Sequence, residues 1–179
     1  HCNTTIGKNG TFSSRLQPNH PTDSVKGVTS SLLEGLSYGI GDAVLGLNPA
    51  VDTLESTSNI LNLFNDVKTR LEIPTQICVL SHITTQMKAL ENGVATDLCF
   101  QSIAGSEISL NSFGVTTDML KEANDMMKEL SNAEGPNYMY FETGQGSELS
   151  SNGHNGADQQ TMEARCYGLA RHYKPFLVN

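Results

Sequence analysis

The chain has 179 residues, 37% hydrophobic and 17% charged, which fits one folded domain and excludes a disordered chain. A net charge of −8 with no Lys/Arg run excludes a nucleic-acid surface, because phosphates need clustered cations. No apolar run approaches the ~20 residues that span a bilayer, so no membrane contact is expected.

Short apolar runs alternate with longer helical stretches. The first run, "GTFSSRLQ" (10–17), precedes residues 24–36, where Val25, Val28, Leu32 and Leu36 fall on one helical face. "DAVLGLN" (42–48) precedes 52–72, where Asp52 is the expected N-cap with Glu55 three on, and Ile60, Phe64, Val67 and Leu71 form the apolar stripe. "QICVLSH" (76–82) leads into a shorter helix at 83–92, closed by Gly93. "DLCFQS" (97–102) is followed by a helix at 117–131 carrying Leu120, Ala123, Met127 and Leu130. "NYMYFE" (137–142) runs into a Gly/Ser/Asn-rich loop at 144–156, and loops of that length are often functional. A helix over 158–173, started by Asp158, carries Met162, Cys166, Leu169 and Tyr173, and "PFLVN" (175–179) is a sixth strand.

The order is therefore β-α five times and then a strand, which means a parallel sheet with helical crossovers. Such a sheet can open as a doubly wound fold or close as a (β/α)8 TIM barrel. A doubly wound sheet usually places a phosphate loop after its first strand, and "RLQPNHP" is no such loop. A barrel needs eight strands and ~250 residues. The expectation is a TIM barrel truncated to about six strands and five helices, with residues 1–179 forming one partial catalytic domain. The chain starts at His1 and stops inside a strand, so it is expected to be part of a longer subunit, with exposed strand edges that make the piece unstable alone. Cys2, Cys78, Cys99 and Cys166 form no CxxC pair and read as small reduced residues of a cytosolic protein.

Ligands of parallel α/β folds bind at the C-terminal strand ends. Those ends carry Arg15 and Gln17, two apart and so on one face, then Asn48 followed by Pro49, His82, Gln101 with Ser102, Glu142, and Asn179. An Arg at such a mouth needs an anionic partner to offset its desolvation, and Glu142 is the natural candidate. Arg15, Gln17, Asn48, Gln101 and Glu142 make a hydrogen-bonding cup suited to a small, polar, cationic substrate. His82 could be a ligand, a base or a structural histidine. His154 and Asp158, four apart, lack the further ligands of a metal site, so no metal is expected. "GQG" at 144–146 lacks the third glycine of a dinucleotide fingerprint. No strand-end lysine favours a Schiff base. The residues alone point to a barrel lyase, isomerase or hydrolase, and a cofactor-independent lyase or hydrolase of another small amine stays open as an alternative.

Six blocks, "TFSSRLQPNHPTD", "EGLSYGIGDAVLGLNPAVD", "IPTQICVLSHITTQ", "FQSIAGSE", "YFETGQGSELS" and "DQQTMEARCYGLARHYKPFLVN", resemble the large subunit of ethanolamine ammonia-lyase across the whole chain. The resemblance implies a (β/α)8 barrel that holds adenosylcobalamin over its mouth, a carbon–nitrogen lyase giving acetaldehyde and ammonia from ethanolamine by radical chemistry, a small partner subunit, a homo-oligomer of large subunits, and a cytoplasmic location within a bacterial microcompartment. It puts substrate contacts on Arg15, Leu16, Gln17, Asn48 and Glu142, with Arg15 and Glu142 catalytic, and cobalamin contacts on Pro49, Gln101 and Ser150. It also implies a further substrate carboxylate and a further cobalamin contact beyond residue 179, so that this segment alone is expected to be inactive. Glu148 departs from the pattern, since a small residue such as Ala is expected there.

Overall fold

In a computed structural model of the chain, the residues described are 8–143 and 152–178. Six strands alternate with helices in the expected order: β1 (Arg15–Leu16), α1 (Val25–Ser37), β2 (Val44–Leu47), α2 (Leu54–Arg70), β3 (Ile77–Val79), α3 (Ile83–Glu91), β4 (Cys99–Ile103), α4 (Glu107–Ser112), α5 (Thr117–Leu130), β5 (Met139–Thr143), α6 (Gln159–Ala170) and β6 (Phe176–Val178). A 3-10 turn, Arg171–Tyr173, finishes α6.

All strand pairs are parallel and join sequence neighbours, in two three-stranded sheets, β1-β2-β3 and β4-β5-β6. No closed barrel forms among the described residues. The Leu98 N–H donates to the Ile77 carbonyl at 3.2 Å, but the Ile77 N–H donates to Oδ2 of Asp97 at 2.9 Å. Asp97, just before β4, thus satisfies a β3 donor that faces that strand.

The helices pack on one face of the sheets. Val28 and Leu32 of α1 and Ile60, Leu61 and Phe64 of α2 pack with Leu16, Leu45 and Ile77. Ile83, Leu120, Met127 and Cys166 from later helices pack with Cys99, Ile103, Met139 and Phe141. Val44, Cys78, Leu98, Phe100 and Tyr140 face the other way and form their own cluster, with Leu80 and Leu177 at its edge and no helical residue in it. Each fully buried Leu, Ile or Phe contributes about 1.5–3 kcal/mol to the core.

Helix α2 shows why these segments form where they do. Thr53, not Asp52, is its N-cap, and its hydroxyl accepts from the Ser56 N–H at 3.2 Å. Glu55 in the first turn and Lys68 and Arg70 in the last oppose the helix dipole. Ile60, Phe64 and Val67 are buried as their spacing predicts, while Leu71 lies past the last helical turn and is exposed. Val25, in the first turn of α1, and Leu130, at the last residue of α5, are also more exposed than their spacing predicts. Helix α4 was not expected, because its six residues are too few to show a periodic stripe.

Candidate functional site

Period two along each strand decides which side chains meet. Val44 faces the inner cluster, and Arg15 is its register partner, so Arg15 is inner and Leu16 is outer. Leu16 packs against α1, where its side chain would meet a Cβ placed on Gly35. Only its backbone can therefore serve a ligand on the inner face. Gln17 and Asn48 follow the inner parity of Arg15 and Val44. Tyr140 pairs with Phe100, and Glu142 pairs with Ser102, all four on the inner face.

The partner of Arg15 is Tyr140 and not Glu142. The guanidinium donates a hydrogen bond to the Tyr140 phenol oxygen, and its carbon lies 5.8 Å from the ring centroid. Phe100 braces that ring edge-on at 5.5 Å between centroids. Arg15 forms no salt bridge among the described residues. Burial raises the Tyr140 pKa, with Arg15 pulling the other way and Glu142 adding to the rise, so the phenol is neutral at physiological pH. Glu142 is half-buried, one residue before the end of β5, and has no hydrogen-bond partner among the described residues.

A cleft of about 590 Å³ opens at this end of the strands, lined by Asp52, His82, Gln101, Ser102, Phe113 and Glu142 among others. Gln101 lines it but has the outer parity of Cys99 and Ile103. Its Oε1 accepts from the Ile83 N–H at 3.0 Å, and its Nε2 donates to the Ser102 carbonyl at 3.0 Å. The amide thus supports the first turn of α3. His82 is the N-cap of α3: Nδ1 accepts from the Thr84 N–H at 3.3 Å, which leaves Nε2 to donate to the Phe113 carbonyl at 3.1 Å. Both ring nitrogens are engaged, so the structural reading of His82 holds.

The loops that carry the site are fastened to one another. Asn48 is exposed, and its N–H donates to Oδ1 of Asn19 at 3.0 Å. Asp23 accepts from the N–H groups of Ala50 and Val51 at 2.7 and 3.2 Å and from the Ser56 hydroxyl at 2.7 Å. Burial would raise the Asp23 pKa, but these three hydrogen bonds together hold it below the ordinary value. Asp52 accepts from the His82 N–H at 2.7 Å. Pro49 sits half-buried between the Asn19 and Asp23 attachments. Asn19 and Asp23 were missed in the sequence, and Asp52 was expected to cap a helix instead, although an Asn and an Asp just past a strand, beside "NP", are the residues that make such loop bonds.

Ser150, Glu148, Asn179, Cys2 and the "GQG" turn lie outside the described residues. Cys78 and Cys99 are buried free thiols, with burial pushing Cys78 well above its ordinary value and Cys99 up to about 12, which removes both as nucleophiles. The His154 ring accepts from the Gly156 N–H at 3.1 Å, and Asp158 caps α6. Among the described residues no three His, Cys, Asp or Glu side chains gather as metal ligands, and no helix is long and apolar enough to cross a membrane.

Residues 1–179 match the family described as ethanolamine ammonia lyase large subunit (EutB). The chain is 54% identical over 177 residues to the ethanolamine ammonia-lyase large subunit of Escherichia coli (strain K12), covering 99% of this chain and 39% of that protein. It is likewise 54% identical over 177 residues to the same subunit of Salmonella typhimurium (strain LT2), again over 39% of its length. The chain thus spans well under half the length of the curated relatives it matches.

Proposed function

This chain belongs to the ethanolamine ammonia-lyase large subunit family, and from that premise we propose that it is part of an adenosylcobalamin-dependent carbon–nitrogen lyase converting ethanolamine to acetaldehyde and ammonia. The observation that carries the reading is the inner-face set at the mouth of the strands: Arg15 oriented by Tyr140, with the carboxylate of Glu142 two residues further along the same strand. Ethanolamine at neutral pH is an ammonium joined to a hydroxyl by two carbons. Glu142 accepts hydrogen bonds from the ammonium, and charge assistance strengthens them. The unused N–H groups of Arg15 are donors for the hydroxyl oxygen and stabilise charge that develops there. The amides of Gln17 and Asn48 complete the cup. Of these residues Glu142 lines the cleft, where Leu80, Phe100 and Phe113 give apolar walls that limit water around its carboxylate.

The same cleft suits a large neutral macrocycle. Its walls pair those apolar faces with neutral hydroxyls at Ser81 and Ser102, and it carries no lysine or arginine. Pro49, Gln101 and Ser150 would hold the cofactor, Gln101 through lone pairs left after its bond to Ile83. When bound, adenosylcobalamin supplies the radical that starts the reaction; the chain's own residues bind and orient the amine.

The accompanying fold is a (β/α)8 barrel of which these six strands are a part. Helices on one face only and strands in sequential order support it, since a doubly wound sheet carries helices on both faces. The complete enzyme pairs with a small subunit in an oligomer of large subunits, in the cytoplasm within a bacterial microcompartment, and the segment alone is inactive. The test is ethanolamine deamination by the complete large subunit with its small subunit. Acetaldehyde release that depends on added adenosylcobalamin supports the reading; cofactor-independent turnover would favour a simple barrel lyase.

A further inference from the structure

We infer that Tyr140 is a positioning residue for the deamination, holding the Arg15 guanidinium in place without neutralising it. The inference rests on the function proposed above.

The two residues are 125 apart in sequence and belong to different sheets. Their hydrogen bond therefore spans the inner face from β1 to β5. The chemistry of the acceptor matters more than the link. Arginine can only donate, so the phenol oxygen accepts. A carboxylate at that point would also orient Arg15, but it would form an ion pair and use up the positive charge. The phenol accepts while neutral. Its proton is retained because burial disfavours the phenolate. Arg15 keeps its full charge and its remaining N–H donors for an oxygen of the substrate.

The ring is itself held. Phe100 meets it edge-on at 70° between planes, and Val44, Cys78 and Leu98 complete the packing. The hydroxyl can therefore be removed with the ring left in place, and Tyr140→Phe isolates the one atom in question. Tyr140 also precedes Glu142 on the same face, so one strand sets both the amine anchor and the orientation of the cation facing the substrate oxygen.

The experiment is a double-mutant cycle in the complete large subunit, reconstituted with its small subunit and adenosylcobalamin. Tyr140→Phe is expected to lower kcat/KM for ethanolamine by about tenfold, the loss of one hydrogen bond to a charged group, with an unchanged melting temperature. In an Arg15→Ala background the same substitution is expected to change kcat/KM less than twofold, because Tyr140 acts through Arg15. A merely structural tyrosine would lower the melting temperature and cost the same in both backgrounds, which would overturn the inference. Wild-type kcat/KM for Tyr140→Phe in an otherwise active enzyme would also overturn it. A wild-type assembly with no ethanolamine turnover overturns the proposed function, and this role with it.

Discussion

The Asp23 carboxylate accepts the Ser56 hydroxyl at 2.7 Å while also accepting the Ala50 and Val51 amides, and so ties the loop after β1 to the loop after β2 and the start of α2. Asn48 and Pro49, both expected to touch ligands, lie just before those amides. Asp23→Ala removes all three bonds. The site is largely solvent-exposed, so the expected loss of stability is about 1 kcal/mol. Because the folded pKa is depressed, the contribution is present above the ordinary carboxylate value and lost as pH falls through the lower folded value. The melting temperatures of the wild type and Asp23→Ala should therefore differ more at neutral pH than in acid, where only the strain of an Ala at the left-handed φ of 52° remains; an equal difference at every pH would exclude this role.

At the opposite end of the strands, Lys68 and Asp97 form a 2.7 Å ion pair with only 3% of the Asp97 side chain exposed. Burial raises the Asp97 pKa above 3.8, opposed by Lys68 and by the Ile77 amide. Lys68→Met strands the carboxylate, at a cost of about 3 kcal/mol at neutral pH. A raised folded pKa means the Asp97 contribution is whole below the ordinary value and falls as pH rises through the folded one. Denaturation midpoints should show the variant closest to wild type in acid and furthest from it near neutrality.

Gly105, between β4 and α4, has no room for a side chain. A Cβ there would lie 2.4 Å from the Met162 carbonyl oxygen and 3.1 Å from the Arg165 Cβ, so α6 would have to move outward. Gly105→Ala is expected to cost about 1–3 kcal/mol, read as a lower melting temperature. Gly35→Ala should be milder, since the nearest atoms belong to the flexible Leu16 side chain.

The alternation of short apolar runs and periodic stretches was enough to place all six strands and five of the helices, because burial on one face leaves a period that can be read directly. The same reasoning put Arg15 and Glu142 at one mouth. It failed where the period is too short or where one residue changes the face. "DLCFQS" suggests a strand ending near Gln101; β4 continues to Ile103, and parity turns Gln101 toward α3 and Ser102 inward. Asp52 looked like a helix cap because Thr53 beside it is an equally good one, and the carboxylate instead fastens His82. The Arg15 partner could not be read at all. A charge suggests a carboxylate, whereas the bond goes to a phenol that the sequence presents only as part of an apolar strand.

Glu142 carries the central claim. The most direct measurement is ethanolamine deamination by the complete large subunit with its small subunit and adenosylcobalamin, comparing wild type with Glu142→Gln. Removing the charge that anchors the ammonium should lower kcat/KM by roughly a hundredfold, on the order of 2–3 kcal/mol, without shifting the melting temperature. A Glu142→Gln enzyme that deaminates ethanolamine with wild-type kcat/KM would contradict the account.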